Sequence, residues 1–319
     1  METVISADAL NRAVELLSSG EPVALPTETV YGLAADATRA DAVLKIFEAK
    51  ERPLFDPLIV HLPDAGWLDR ITRDRAPLAE RLAAAFWPGP LTLVLPRREI
   101  IPDVVTSGLP TVAVRMSAHP LFREVAARFG KPLAAPSANR FGRISPTTAA
   151  HVMSELGGRI PLILDGGPAS HGVESTIVAI DGSCIKILRS GPVTEKDLSV
   201  FGEVVYETRG KLPDAPGQLQ SHYSPRTPLQ VVRDARDFVP GIGQRCGLLA
   251  WNKSWPAEIF TAVEFLSPAQ DLGDAATRLF AALRRLDEAD LDLIVAEEVP
   301  EEGLGIAIMD RLRKASANG

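Results

Sequence analysis

Short apolar runs alternate with helix-spaced apolar stripes along the first 200 residues, and this alternation constrains the fold more than any other feature of the chain. Val23–Leu25, Leu58–Val60, Leu91–Leu95, Val112–Val114, Leu133–Ala135 and Leu162–Leu164 are short enough to be strands. Ser6–Ser19 carries Leu10, Ala13, Val14 and Leu17 at helical spacing, and Gly20 supplies a stop. Asp41–Lys50 carries a stripe of Val43, Leu44, Ile46 and Phe47, and Leu78–Phe86, Leu121–Phe129 and Thr148–Leu156 are helical in pattern. Ser175–Ile180 and Cys184–Leu188 flank Asp181-Gly182, a hairpin signal. The pattern predicts an α/β fold over residues 1–203: a twisted mixed sheet with flanking helices.

From Glu203 to Pro228 the periodicity breaks, and Gly210, Pro213, Pro216, Gly217, Pro225 and Pro228 punctuate the stretch. Residues 204–228 read as a linker, although His222, Tyr223 and Ser224 make its end rich in hydrogen-bonding groups. Leu229–Val232, Gly247–Ala250, Val263–Leu266 and Leu293–Ala296 then read as strands, and Ala275–Leu286 as a helix capped by Asp274. Residues 229–319 are therefore expected to form a smaller α/β, Rossmann-like domain, and 319 residues suit two domains. The net charge of −7, with neither half basic, argues against a large nonspecific nucleic-acid surface. No apolar run approaches the roughly 20 residues of a membrane span, and the N-terminus lacks signal-peptide character. Cys184 and Cys246 fit no zinc spacing and read as buried thiols. A cytoplasmic location follows as the expectation.

Two clusters carry chemistry. Thr27-Glu28-Thr29-Val30-Tyr31 follows the first apolar strand and places two hydroxyls, a carboxylate and a phenol beside Gly32. Lys50, Arg52, Asp56 and His61 lie within a dozen residues of one another and suit an anionic substrate. Plainer roles exist for each. Lys50 and Arg52 could be a solvated helix terminus, and His61 a structural histidine. Arg115 could pair with a structural carboxylate. In extended backbone Thr27 and Thr29 share one face while Glu28 points away, although Thr27 could instead close a turn. Tyr31 could wall a ligand or sit in the core with its hydroxyl satisfied. Thr147 reads as a helix cap.

The ordered segments Pro26–Leu33, Lys50-Glu51-Arg52-Pro53, Pro57–His61, Trp87–Thr92, Val112–Met116, Ala135–Asn139, Ser145-Pro146-Thr147, Gly172–Ile177 and Leu188–Gly191 resemble the YrdC-like family of threonylcarbamoyl-AMP synthases. Ala215-Pro216-Gly217 with His222–Pro225 matches its long two-domain form. Phe141 departs from the family pattern, which has a small residue there. The resemblance implies that L-threonine, bicarbonate (or CO2) and ATP, with Mg2+, give threonylcarbamoyl-AMP and pyrophosphate. A separate transferase complex would use the product to form N6-threonylcarbamoyladenosine at position 37 of tRNA, with weak or no direct tRNA binding by this chain. By resemblance, Thr29, His61, Arg115, Ser137 and Ser175 contact L-threonine. Lys50, Arg52, Asp56, Thr111, Asn139, Ser145, Arg189 and Tyr223 contact ATP, and Lys50 and Arg52 are catalytic. The linker would act as a lid over the intermediate. One competing expectation is a YrdC-like module that binds tRNA or double-stranded RNA without adenylation. Another is a relative using a different carbamoyl donor, as in hydrogenase maturation, though two cysteines are too few for the zinc fingers usual there.

Overall fold

The computed structural model describes residues 2–3, 7–73, 75–207, 222–251 and 259–317. They divide into two units interleaved along the chain. The first comprises Met1–Phe141, Pro146–Ser170 and Glu174–Gln218; the second comprises Gly142–Ser145, His171–Val173 and Leu219–Gly319. The Ala215–Gly217 motif and most of the expected linker lie outside the described residues.

In chain order the first unit begins β1 (Glu2–Thr3), α1 (Ala7–Ser19), β2 (Val23–Leu25), β3 (Gly32–Asp36), α2 (Ala40–Lys50) and β4 (Ile59–His61). It continues α3 (Trp67–Ile71), α4 (Pro77–Phe86), β5 (Leu91–Pro96), α5 (Asp103–Thr106), β6 (Thr111–Arg115), α6 (Pro120–Phe129) and β7 (Leu133–Ala134). It ends α7 (Ala149–Leu156), β8 (Leu162–Ile163), β9 (Thr176–Asp181), β10 (Cys184–Arg189), α8 (Glu195–Ser199) and β11 (Glu203–Tyr206). Proline opens α4 and α6, where a missing N–H costs nothing, and α6 stops at Gly130 in left-handed backbone (φ 72°). The cap of α7 is Thr148, which accepts from the His151 amide, and not Thr147, whose hydroxyl meets the His151 ring.

The eleven strands run β1-β8-β2-β3-β7-β4-β6-β5-β9-β10-β11 and mix parallel with antiparallel pairs. β3 was not expected: Gly32-Leu33-Ala34-Ala35 has little strand-favouring bulk, yet it pairs antiparallel with β2 and is fully buried. β11 was not expected either. It pairs in parallel with β10, so residues 203–206 are strand rather than the start of the expected linker.

Strand alternation gives the sheet two distinct faces. Val60, Leu91, Leu93, Leu95, Val112, Val114, Val178 and Ile187 pack on one face with Ile46, Phe47, Leu78 and Leu82. Burial contributes about 1.5–3 kcal/mol for each such side chain. On the other face Leu17, Phe122 and Val125 of α1 and α6 pack with Val23, Leu25, Leu133 and Leu162. Farther along that second face lies a small cluster of Ile59, Ala113 and Ile177 with Val94 and Leu188. The residues alternating with these, namely His61, Thr92, Thr111 and Arg115, share that face.

The second unit contains β12 (Leu229–Val232), β13 (Cys246–Ala250), β14 (Ala262–Phe265), α9 (Leu272–Asp287), β15 (Leu293–Glu297) and α10 (Leu304–Ser316). Its strands are all parallel in the order β12-β15-β13-β14, which suits their continuous apolar runs. The cap of α9 is Asp271, whose carboxylate accepts from the Asp274 amide at 2.7 Å; Asp274 itself lies inside the helix. Glu297 is buried and accepts from the amides of Ala235 and Trp251, tying the ends of β12 and β13 together. Residues 142–145 belong to this unit because the Ser224 amide donates to Gly142 O at 2.8 Å and Arg284 Nη2 donates to Ile144 O.

Candidate active site

The strand register brings His61 of β4 directly beside Arg115 of β6, on the face where α1 and α6 pack. Arg115 is 3% exposed. Its Nη1 donates to Thr29 Oγ1 at 3.0 Å, and its Nη2 donates to Glu28 Oε1 at 2.5 Å. The Ser117 hydroxyl donates to the other oxygen of Glu28 at 2.5 Å. Burial alone would raise the Glu28 carboxyl, but Arg115 and Ser117 more than offset it and hold it at about 2. His61 is buried against Phe122, with ring centroids 4.7 Å apart, and its Nδ1 has no hydrogen-bond partner among the described residues. Burial, with the adjacent Arg115 charge, pushes its pKa down to about 3, so the imidazole is neutral at physiological pH.

The Thr27–Val30 segment that brings Glu28 and Thr29 to this corner is a turn, not extended backbone. Thr27 Oγ1 accepts from the amides of Thr29 and Val30 and donates to Val30 O at 2.6 Å. The turn swings Glu28 inward onto Arg115, correcting the expectation that it points away. Tyr31 is a core aromatic with its hydroxyl satisfied: it donates to Gly167 O at 2.7 Å and accepts from the Gly166 amide.

A second corner gathers cations. Lys50 ends α2 but is 1% exposed, and Arg52 is 8% exposed, so neither is a solvated helix terminus. Lys50 Nζ donates to the carbonyls of Ser137 and Asn139, both at 2.5 Å. Burial pushes its pKa well below the ordinary lysine value, and the Arg52 charge adds to the shift. Arg52 pairs with Asp56 at 2.8 Å and donates to the Pro57 carbonyl at 2.9 Å. Burial raises the Asp56 carboxyl, against the pull of Arg52, Lys50 and Arg189. Arg189 sits opposite Ile177 across the β9/β10 pair and holds Ser175 through its carbonyl and hydroxyl, both at 3.0 Å. Ser175 also shares a 2.8 Å hydrogen bond with Thr92. Phe141 fits beside these cations: its ring centroid lies 6.0 Å from the Arg52 guanidinium carbon, and its amide donates to Lys50 O.

Thr29, His61 and Arg115 therefore converge, and Lys50, Arg52, Asp56 and Arg189 form a second charged group. Ser137 and Asn139 meet that second group through main-chain carbonyls, while Ser175 is held by Arg189 rather than Arg115. Thr111 lies on the same sheet face, opposite Pro96. Ser145 and Tyr223 belong to the second unit, and their roles toward a nucleotide rest on the family resemblance alone. There Tyr223 is buried in left-handed backbone (φ 64°), stacked on Phe280 at 5.6 Å with the Arg311 guanidinium 5.4 Å from its ring. Sequence reasoning gave Ser117 and Thr92 no role and did not pair Glu28 with Arg115. For Thr92 the signal was available, since Leu91-Thr92-Leu93-Val94-Leu95 alternates a hydroxyl into the ligand-side face.

Residues 15–191 match the Sua5/YciO/YrdC family profile, described as telomere recombination. Residues 192–317 match the profile of the threonylcarbamoyl-AMP synthase C-terminal domain. The threonylcarbamoyl-AMP synthase of Bacillus subtilis is 40% identical over 320 residues, covering 96% of this chain and 92% of the relative. The chain belongs to the Sua5/YrdC family of threonylcarbamoyl-AMP synthases. Its Pyrococcus abyssi relative of the same name is also 40% identical, over 95% of this chain and 93% of the relative. A crystal structure of Pyrococcus abyssi Sua5 complexed with L-threonine superposes with a TM-score of 0.90 at 38% identity, over 98% of this chain and 95% of that one. Both parts of the long Sua5 form are thus present in this chain. Among the described residues no helix is long and apolar enough to cross a membrane.

Proposed function

We propose that this chain is an L-threonylcarbamoyladenylate synthase that condenses L-threonine, bicarbonate or CO2, and ATP into threonylcarbamoyl-AMP and pyrophosphate. Near-full-length similarity to synthases of that name carries the reading, at 40% identity in both a bacterium and an archaeon. The chemistry of the two corners supports it. Arg115 has the planar donor geometry for the threonine carboxylate, with neutral His61 and Thr29 beside it to hydrogen-bond the amino acid. Lys50, Arg52 and Arg189 offer positive charge to a triphosphate.

The threonine ammonium loses a proton, and the resulting amine adds to carbon dioxide and gives up a second proton to solvent, leaving a carbamate. A carbamate oxygen then attacks the α-phosphorus, and the bond to pyrophosphate breaks. No covalent nucleophile on the protein is needed, so positioning and charge neutralisation carry the catalysis. Mg2+ enters as the metal of the nucleotide substrate and offsets triphosphate charge. The product is a reactive mixed anhydride suited to a transferase that modifies tRNA.

The test is pyrophosphate release with each of the three substrates omitted in turn. Release requiring all three, with labelled bicarbonate entering an AMP adduct, is expected. Release independent of threonine, or an adduct free of label, would overturn the proposal.

A further inference from the structure

Every cation in this site has to be held before a ligand arrives, and the way Arg115 is held singles out a residue with no substrate role in the reading above. Arg115 lies on β6 and Glu28 on the turn after β2, 87 positions apart, yet the two form a buried ion pair in which the Glu28 side chain is 8% exposed and that of Arg115 is 4% exposed. Glu28 takes Nη2, Thr29 takes Nη1, and Nε of Arg115 has no hydrogen-bond partner among the described residues. Two fixed points set the guanidinium plane and leave its remaining donors for a planar anion. Ser117, two residues beyond Arg115, fixes Glu28 in turn through its second oxygen. The Thr27 hydroxyl builds the turn from which Glu28 projects. His119 adjoins this group: its ring nitrogen Nδ1 has no hydrogen-bond partner among the described residues, and its amide donates to Ser117 Oγ at 3.2 Å.

We infer that Glu28 is a positioning residue for the amino-acid substrate, orienting Arg115 so that its free donors meet the threonine carboxylate. Glu28 stays ionised throughout the working pH range because Arg115 and Ser117 hold its carboxyl low against burial. A flexible arginine would lose rotamer freedom on each binding event, and the Glu28 contact makes that loss at folding instead. The effect is confined to the amino acid, since the nucleotide-side cations have their own partners in Asp56 and the carbonyls of Ser137 and Asn139.

This inference rests on the proposed synthase activity, and its test separates the two. Dissociation constants for L-threonine and for ATP are measured by calorimetry on the full-length wild type, Glu28→Ala and Glu28→Gln, with circular dichroism as the control for folding. Glu28→Ala is expected to weaken threonine binding roughly 10-fold or more while ATP binding stays within about twofold. Glu28→Gln keeps an oxygen for Arg115 Nη2 and recovers part of that loss. Threonine affinity unchanged in both folded variants would overturn the inference. Equal weakening of both ligands would also overturn it, because it would mark general damage. Should Glu28→Ala fail to fold, the near-isosteric Glu28→Gln carries the test alone: weaker threonine with unchanged ATP supports positioning. Unchanged or tighter threonine binding refutes it, the tighter result showing Glu28 to be a competitor for Arg115. A wild type that binds no threonine would instead refute the synthase reading itself.

Discussion

Replacing Lys50 by methionine separates catalysis from stability at a single buried position. Lys50 makes two hydrogen bonds to carbonyls, and bonds from a charged donor contribute about 1.5–3 kcal/mol each, so about 3–6 kcal/mol is lost. Against this, methionine relieves the burial of an ammonium at 1% exposure, which costs several kcal/mol. The terms nearly cancel, and the unfolding free energy should change by no more than about 3 kcal/mol. With Lys50 at the reacting phosphates as proposed, catalysis has no such compensation, and losing that group should cost about 100- to 1,000-fold in kcat. The pH dependence gives an independent check. The folded pKa of Lys50 is depressed below the ordinary 10.5, so between those two values the unfolded chain binds more protons than the folded one. Wild-type stability should therefore rise with pH across that window, by at most about 1.4 kcal/mol per unit, and Lys50→Met should lack this rise. Urea unfolding from pH 7 to 10 and steady-state kinetics measure both. Full turnover in Lys50→Met would remove Lys50 from catalysis, and an identical pH slope in the two proteins would show that its pKa is not depressed by folding.

Removing one partner of the buried Arg52–Asp56 pair by Asp56→Asn should destabilise the protein by about 3–5 kcal/mol, read by urea unfolding, and weaken ATP binding. His61 is held neutral with a folded pKa of about 3 against an ordinary 6.5, so the unfolded state takes up the proton first as pH falls. Wild-type stability should drop below pH 6.5 by up to about 1.4 kcal/mol per unit until about pH 3, and His61→Gln should lose less across that range in parallel acid titrations. A Cβ at Gly191 would lie 2.5 Å from Glu174 O and Thr176 N, so Gly191→Ala must displace the backbone around Ser175. It should cost about 1–3 kcal/mol in melting experiments and lower kcat by shifting the Ser175–Arg189 contact.

Much of the fold was legible because short apolar runs and helical stripes differ in period. β2, the α1 and α2 helices, the β9/β10 hairpin and the four strands of the second unit fall within a residue or two of their expected positions. β3 was hidden because Gly32, Ala34 and Ala35 are strand residues only in the context of β2 and β7. Asp271 and Asp274 are equally good caps by type, and Leu272-Gly273 gives no periodic signal to choose between them. In the site, His61 and Arg115 stood out as polar ends of apolar runs, but their pairing is a matter of register between strands that sequence does not encode locally. The Glu28–Arg115 pair spans 87 positions and depends on a turn that reverses the direction expected for Glu28. The second unit's claim on residues 142–145 arises from contacts with Ser224 and Arg284, which no local pattern announces.

The proposed reaction requires that the first unit seat the amino acid at Arg115 and the nucleotide at Lys50 and Arg52, close enough for a carbamate oxygen to reach phosphorus. A crystal structure of the chain with L-threonine and a non-hydrolysable ATP analogue tests it most directly. The threonine carboxylate is expected on Arg115, the phosphates on Lys50 and Arg52, and the threonine amine turned toward the α-phosphate. Threonine and nucleotide in separate cavities, or a threonine carboxylate bound away from Arg115, would contradict it.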